Sequence, residues 1–166
     1  MKLLSSLIFT LAILCINPAQ AEAPDFGLKT LDGKSYSLDN VIGKGKWVLL
    51  MFWATDCQIC KIQEPLNSAF HESHVDLDAE VVGIAIDGME RSNLVKDYLD
   101  KHDLSYPNYI ADIGMVAFNY QALTGEAFRG TPTHVLFSPE GKFMAVAPGM
   151  LRIQALEEYI QKHSSG

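Results

Sequence analysis

Cys57 and Cys60 stand two residues apart in the stretch Trp53-Ala54-Thr55-Asp56-Cys57-Gln58-Ile59-Cys60-Lys61, and a pair so spaced has few chemical uses. It can exchange a disulfide with another molecule, form half of a metal site, or anchor a haem. A zinc site wants a second cysteine pair or a His-x(3–5)-His at finger spacing, and neither follows. Haem attachment wants a histidine directly after the second cysteine, where Lys61 stands. Thiol–disulfide exchange is the chemistry that fits.

The flanking residues must position the pair. Before it, Trp47 to Trp53 is a seven-residue run of apolar, aromatic and branched side chains, which predicts a strand buried on both faces. After it, Ile62, Leu66, Ala69 and Phe70 recur at spacings of three and four and predict the inward face of a helix. Cys57 then falls where unpaired backbone N–H groups and the positive end of the helix dipole favour thiolate over thiol. An ordinary thiol with a pKa of about 8.5 is only a few per cent ionised at pH 7, and each unit of depression is worth about 1.4 kcal/mol. One helical turn on, Cys60 is placed to resolve a mixed disulfide formed at Cys57.

The chain of 166 residues, 48% hydrophobic, supports one domain with a substantial core. It opens with the features of an export signal: Lys2, an apolar run from Leu3 to Ile16, and small residues at Ala19-Gln20-Ala21. The expected division is a signal peptide over residues 1–21, cleaved after Ala21, and a mature domain over 22–166. The apolar run is shorter than the ~18–20 residues that span a bilayer, so no stable membrane insertion is expected. Cys15 lies in the leader, behind Leu14 rather than the small residue that lipidation needs, and is lost with it. The mature chain keeps two cysteines, and their loop is too short to restrain the unfolded chain much. Removing the leader takes away one lysine and leaves 12 basic against 20 acidic side chains. That balance argues against nucleic acid and anionic membrane surfaces as partners.

Along the mature chain, Phe26 to Leu38 predicts a hairpin turning at Asp32-Gly33 and covering a sheet edge. Val81 to Ile86 predicts a second buried strand, parallel to the first. Leu94, Val95, Tyr98 and Leu99 mark a helix face behind a Ser92 cap. Asn108 to Ile110 is a short strand, and Asp112 caps a helix carrying Val116, Phe118 and Leu123 that Gly125 ends. Thr133 to Phe137 and Phe143 to Ala147 form an antiparallel pair across Pro139-Glu140-Gly141-Lys142, and a last helix buries Ile153, Leu156 and Ile160. His71 and His74 are expected as a surface pair, Asp87 as a loop carboxylate, and His134 as a partly buried strand residue able to approach the cysteines.

Taken together, Trp53-Ala54-x-x-Cys57-x-x-Cys60, Pro65, Gly130-Thr131-Pro132-Thr133 and Pro139-Glu140-Gly141-Lys142 resemble the thioredoxin superfamily, and within it the exported TlpA/ResA-like thiol–disulfide oxidoreductases. The resemblance implies an α/β, thioredoxin-like fold, with a central mixed sheet flanked by helices and an N-terminal hairpin extension. It implies a catalytic Cys57 and Cys60 and a cis Pro132 opposite them, with Thr131 and Trp53 meeting the substrate. A cis bond there turns backbone groups of Thr131 toward the dithiol, where a peptide can pair with them.

Three positions depart from the pattern. Met51 replaces the buried aspartate of thioredoxins proper. Gln63 replaces the glutamate that ResA-type relatives carry three residues after the second cysteine, and glutamine takes up no proton by ionising. Glu64, about 100° further round the helix, is then the candidate proton acceptor. Asp56 replaces the usual tryptophan before the nucleophile, where a carboxylate opposes the helix dipole.

The function expected is an exported, periplasmic oxidoreductase without cofactor or metal. It would reduce cysteine pairs in client proteins, such as apocytochromes c or copper-site assembly proteins, with a membrane thiol reductase as electron donor. The alternative is a Cu(I) metallochaperone of the Sco type, using the same cysteines with His134. Three intervening residues are usual in that group, and two are present.

Overall fold

The computed structural model describes residues 23–164. The expected leader, its cleavage site and Cys15 lie outside the described residues.

The first strand, β1 (Trp47–Trp53), is buried along its whole length, as its unbroken apolar sequence requires. It leads into α1 (Gln58–His74), which returns the chain to β2 (Ala79–Ala85), parallel to β1. Then come α2 (Ser92–His102), β3 (Asn108–Ile110), α3 (Ile113–Thr124), β4 (Thr133–Phe137), β5 (Phe143–Pro148) and α4 (Ile153–Ser164). The sheet runs β3-β2-β1-β4-β5, with β2–β3 parallel and β1–β4 and β4–β5 antiparallel. β1 lies at its centre, so alternate side chains feed opposite layers. Val48, Leu50 and Phe52 pack with Val116 and Tyr120 of α3 and with Phe26, Leu28, Leu38 and Ile42. On the other face Trp47 and Leu49 join Phe70, Leu156 and Ile160, while Met51 and Trp53 join Cys60, Val95 and Tyr98. That second face therefore carries α1, α2 and α4. The expected mixed sheet with helices on both sides is what forms.

The N-terminal hairpin covers an edge, as expected, in reduced form. Thr30 N donates to Lys34 O at 2.8 Å and Tyr36 N to Leu28 O at 2.9 Å around the turn, where Gly33 takes a φ of 86°. Lys29 and Ile110 exchange a pair of 2.8 Å backbone bonds, which seals the outer side of β3. Lys29 bridges both Ser35 and Ile110, so the segment forms single bridges rather than a continuous ladder.

The helix faces depart from the apolar spacing in several places. On α1, Ile62 and Leu66 are 58% and 43% exposed and Ala69 is exposed; of the predicted face only Phe70 is buried. The buried residues are Cys60, Gln63, Glu64, Asn67, Phe70 and His71. Burying Cys60 fixes the rotation of the helix, and positions three, four and seven residues on follow it inward although they are polar. His71 is thus not a surface residue: its Nδ1 accepts from Val81 N at 3.1 Å. His74 instead meets Asp78 at 2.8 Å. In α2, Ser92 is the first helical residue rather than the cap, because a 3-10 turn over Met89–Arg91 runs straight into the helix. Leu94 of α2 and Phe118 of α3 are exposed, and Val95, Tyr98, Val116 and Tyr120 supply the contacts. Asp112 caps α3 by accepting from Gly114 N and Met115 N, and Gly125 ends it in the left-handed region, both as predicted.

Candidate active site

Trp53 ends β1, and Cys57 occupies the N-cap of α1, the half-in position before the first helical residue. Its Sγ accepts from Cys60 N at 3.1 Å, so one of the helix's unpaired amides points at sulfur. A disulfide joins Cys57 to Cys60, with Cα atoms 5.3 Å apart. The two sulfurs differ in access: Cys57 is partly exposed and Cys60 fully buried. An incoming thiolate or disulfide can reach only the outer one.

The loop between strand and helix is clamped by a residue expected to be an ordinary loop carboxylate. Asp87, just beyond β2, is buried; its Oδ2 accepts from Thr55 N at 3.1 Å and its Oδ1 from Thr55 Oγ1 at 2.6 Å. Arg91 Nη1 lies 3.4 Å from the same carboxylate. The sequence gives no sign of this clamp, since Thr55 and Asp87 meet only once β1 and β2 pair. Asp56, next to it, is exposed.

Across the sheet end, the register of β1 with β4 sets Phe52 beside Thr133. The cis Thr131–Pro132 bond therefore stands at the same end of the sheet as Cys57. Thr133 Oγ1 donates to Gly130 O at 2.6 Å and Gly149 N to Pro132 O at 2.8 Å, holding the loop from both sides. Thr131 remains half-exposed. Trp53, expected to meet the substrate, is instead wholly buried: its Nε1 donates to Asn108 Oδ1 at 3.0 Å and its ring lies 5.0 Å from that of Tyr98. It is a floor beneath the dithiol, because a β1 residue facing the α1 layer has no route to the surface.

Beneath Cys60, α1 presents two polar stripes. Gln63 and Asn67 form the first. Leu151 N donates to Gln63 Oε1 at 2.9 Å, and Gln63 Nε2 donates to Asn67 Oδ1 at 2.9 Å. Asn67 Nδ2 approaches Met51 Sδ at 2.8 Å and His134 Nε2 at 3.5 Å. His134 Nδ1 lies 3.4 Å from Ala147 O. A neutral ring donating at Nδ1 and accepting at Nε2 satisfies both contacts, and burial pushes its pKa down to about 4. His134 is therefore fully rather than partly buried, and committed to an amide and a carbonyl. Among the described residues, no group of three or more His, Cys, Asp or Glu side chains is placed to hold a metal ion.

Glu64 forms the second stripe. It is 1% exposed, and both of its oxygens accept from the Tyr98 hydroxyl, at 2.7 and 2.9 Å. His102 Nδ1 lies 3.6 Å from Oε2. Burial pushes the carboxyl pKa up, against the Tyr98 bond, the nearby His102 ring and the Lys61 charge. Glu64 lies four residues from Cys60, so the two are neighbours on one helix face, with Cβ atoms about 5–6 Å apart. Tyr98 and His102 escaped sequence reasoning, the one looking like an ordinary core aromatic and the other like a helix-end histidine.

A buried sulfur and an accessible one at a helix start, on a mixed sheet with a cis-proline loop at the same end, define a thiol–disulfide oxidoreductase of thioredoxin fold. The chain belongs to the AhpC/TSA family, which it matches over residues 19–146. It is 30% identical over 141 residues to the thiol-disulfide oxidoreductase ResA of Bacillus thuringiensis subsp. konkukian, covering 85% of this chain and 76% of that one. Among solved structures, a thioredoxin-family thiol:disulfide interchange protein from Chlorobium tepidum superposes with a TM-score of 0.69 at 22% identity, covering 88% of this chain and 97% of that one. The exposed lipoprotein thioredoxin of Streptococcus pneumoniae gives a TM-score of 0.65 at 25% identity, covering 81% and 96%. No helix among the described residues is long and apolar enough to cross a membrane.

Proposed function

We propose that this protein is exported to the periplasm, its signal peptide removed after Ala21, and there reduces disulfides in client proteins. The observation that carries the reading is the inequality of the two sulfurs, Cys57 at the helix N-cap and partly exposed, Cys60 buried one turn on. In the reduced protein the Cys57 thiolate attacks a client disulfide and displaces one client sulfur. Cys60 then attacks Cys57 Sγ, the mixed disulfide breaks, and the second client sulfur leaves with the electron pair. Thr131, itself half-exposed and followed by the cis Pro132, pairs through its backbone with the client chain beside its cysteine. Glu64 takes the Cys60 proton, since Gln63 does not ionise. A membrane thiol reductase returns the dithiol to its reduced form, and apocytochromes c and copper-site assembly proteins are the clients. Export accords with the neighbouring Streptococcus protein, described as an exposed lipoprotein.

Replacing Cys60 with alanine tests the scheme. The variant should accumulate mixed disulfides through Cys57 in cells, removable by reductant, and should lose turnover of insulin. Recovery of no such adduct, with the unaltered protein also unable to reduce insulin, overturns it.

A further inference from the structure

Once a client is bound over Cys57, the dithiol face is covered at the moment Cys60 must give up its proton. The α1–α2 flank offers another way out. A groove of about 400 Å³ lies there, lined by Glu64, Lys61 and Glu72 from α1, by His102 at the end of α2, and by Asp103 and Leu104 just beyond it. Glu64 thus lies one helical turn on from Cys60 and lines this groove. Tyr98 fixes the carboxylate by bonding both oxygens, and its ring stacks on His102 at 4.0 Å with the planes 7° apart. His102 keeps 28% of its side chain exposed, while the Glu64 side chain keeps 2%.

We propose that Glu64, Tyr98 and His102 form a lateral proton exit, in which Glu64 accepts the Cys60 proton and His102 carries it into the groove while the client still covers the dithiol. This rests on the reading above, in which Cys60 resolves the mixed disulfide. The Cys60 S–H bond breaks toward a Glu64 oxygen as Cys60 sulfur bonds to Cys57 and the client sulfur departs with its electron pair. A neutral His102 ring with no hydrogen on Nδ1 takes the proton from Glu64 across the 3.6 Å gap, which a small rotation closes. The imidazole releases a proton from its other nitrogen to groove water, so both dithiol electrons end on the client and Glu64 returns to carboxylate. Tyr98 is a positioning residue here, and its hydroxyl proton stays in place. The other titratable groups acting on Glu64 are Lys61 and Tyr106, and Glu72 and Asp103 line the groove beyond it.

The test compares a large and a small substrate in single-turnover oxidation of the reduced protein. Insulin covers the dithiol face, whereas oxidised glutathione leaves it open to water. His102→Ala should lose about tenfold more rate on insulin than on oxidised glutathione, a factor within the range of general acid–base effects. Imidazole added to His102→Ala should restore most of the insulin rate, which a merely structural histidine does not allow. His102→Gln should show the same substrate bias, guarding against a packing artefact of alanine. Equal losses on both substrates, or no rescue by imidazole, overturn the exit. Glu64→Gln should slow both substrates; if it slows neither, the proton-acceptor reading fails, and an unaltered protein that oxidises with neither substrate marks failure of the exchange itself.

Discussion

The two polar stripes of α1 begin at adjacent residues, yet they are built on opposite rules. The Gln63–Asn67 stripe is closed and neutral, each amide spent on a backbone group, a thioether or an imidazole that burial keeps uncharged. The Glu64 stripe holds an ionisable carboxyl whose neighbours lead out to a groove. One residue of helix rotation, about 100°, separates them. The contrast teaches that a buried ionisable group is tolerated where hydrogen bonds hold it beside an open groove, and that elsewhere the same helix is held by neutral bonds.

The neutral stripe breaks hardest. Asn67→Leu removes the partner of Gln63 Nε2 and of His134 Nε2, and at ~1–3 kcal/mol for each orphaned buried group the expected loss is about 4 kcal/mol. Urea unfolding with an unchanged m-value would measure it.

His134 sharpens the contrast through pH. Its folded pKa of about 4 lies below the ordinary 6.5, so the unfolded chain binds the proton more readily between those values. Stability should therefore fall by about 3 kcal/mol as pH drops from 6.5 to 4. His134→Gln should remove that part of the slope in unfolding curves taken across the range.

Glu64 should behave in the opposite sense and more weakly. Its carboxyl pKa is raised on folding, so its contribution is fully present below the ordinary carboxylate range and lost as pH rises through the folded value. Glu64→Gln, which still accepts from Tyr98, should change stability at neutral pH by no more than about 1 kcal/mol, in the stabilising direction. A loss of several kcal/mol instead would place Glu64 among the structural bonds and erase the distinction between the stripes.

What the sequence disclosed follows the range of the interactions. β1 was legible because seven apolar residues need no partner to declare themselves, and the Asp112 cap and Gly125 stop because each acts within its own turn. The dithiol and the proline loop were legible through residue type and resemblance. The inward face of α1 was not, because Gln63 is satisfied by Leu151, Glu64 by Tyr98, and Asn67 by Met51 and His134, all remote along the chain. An apolar periodicity cannot register a helix whose inner side is held by such bonds, so Ile62 and Leu66 looked buried and are exposed. Trp53 misled for a related reason, since membership of the motif says nothing about which way a strand residue points.

Asp87 grips Thr55 through atoms that take no part in sulfur chemistry. Those bonds are not among the ones that disulfide exchange makes or breaks, so the approach to the helix has an anchor separate from the Cys57–Cys60 bond. The loop that presents the nucleophile is thus tied to the neighbouring strand's end by a carboxylate, and not by the sulfurs it serves.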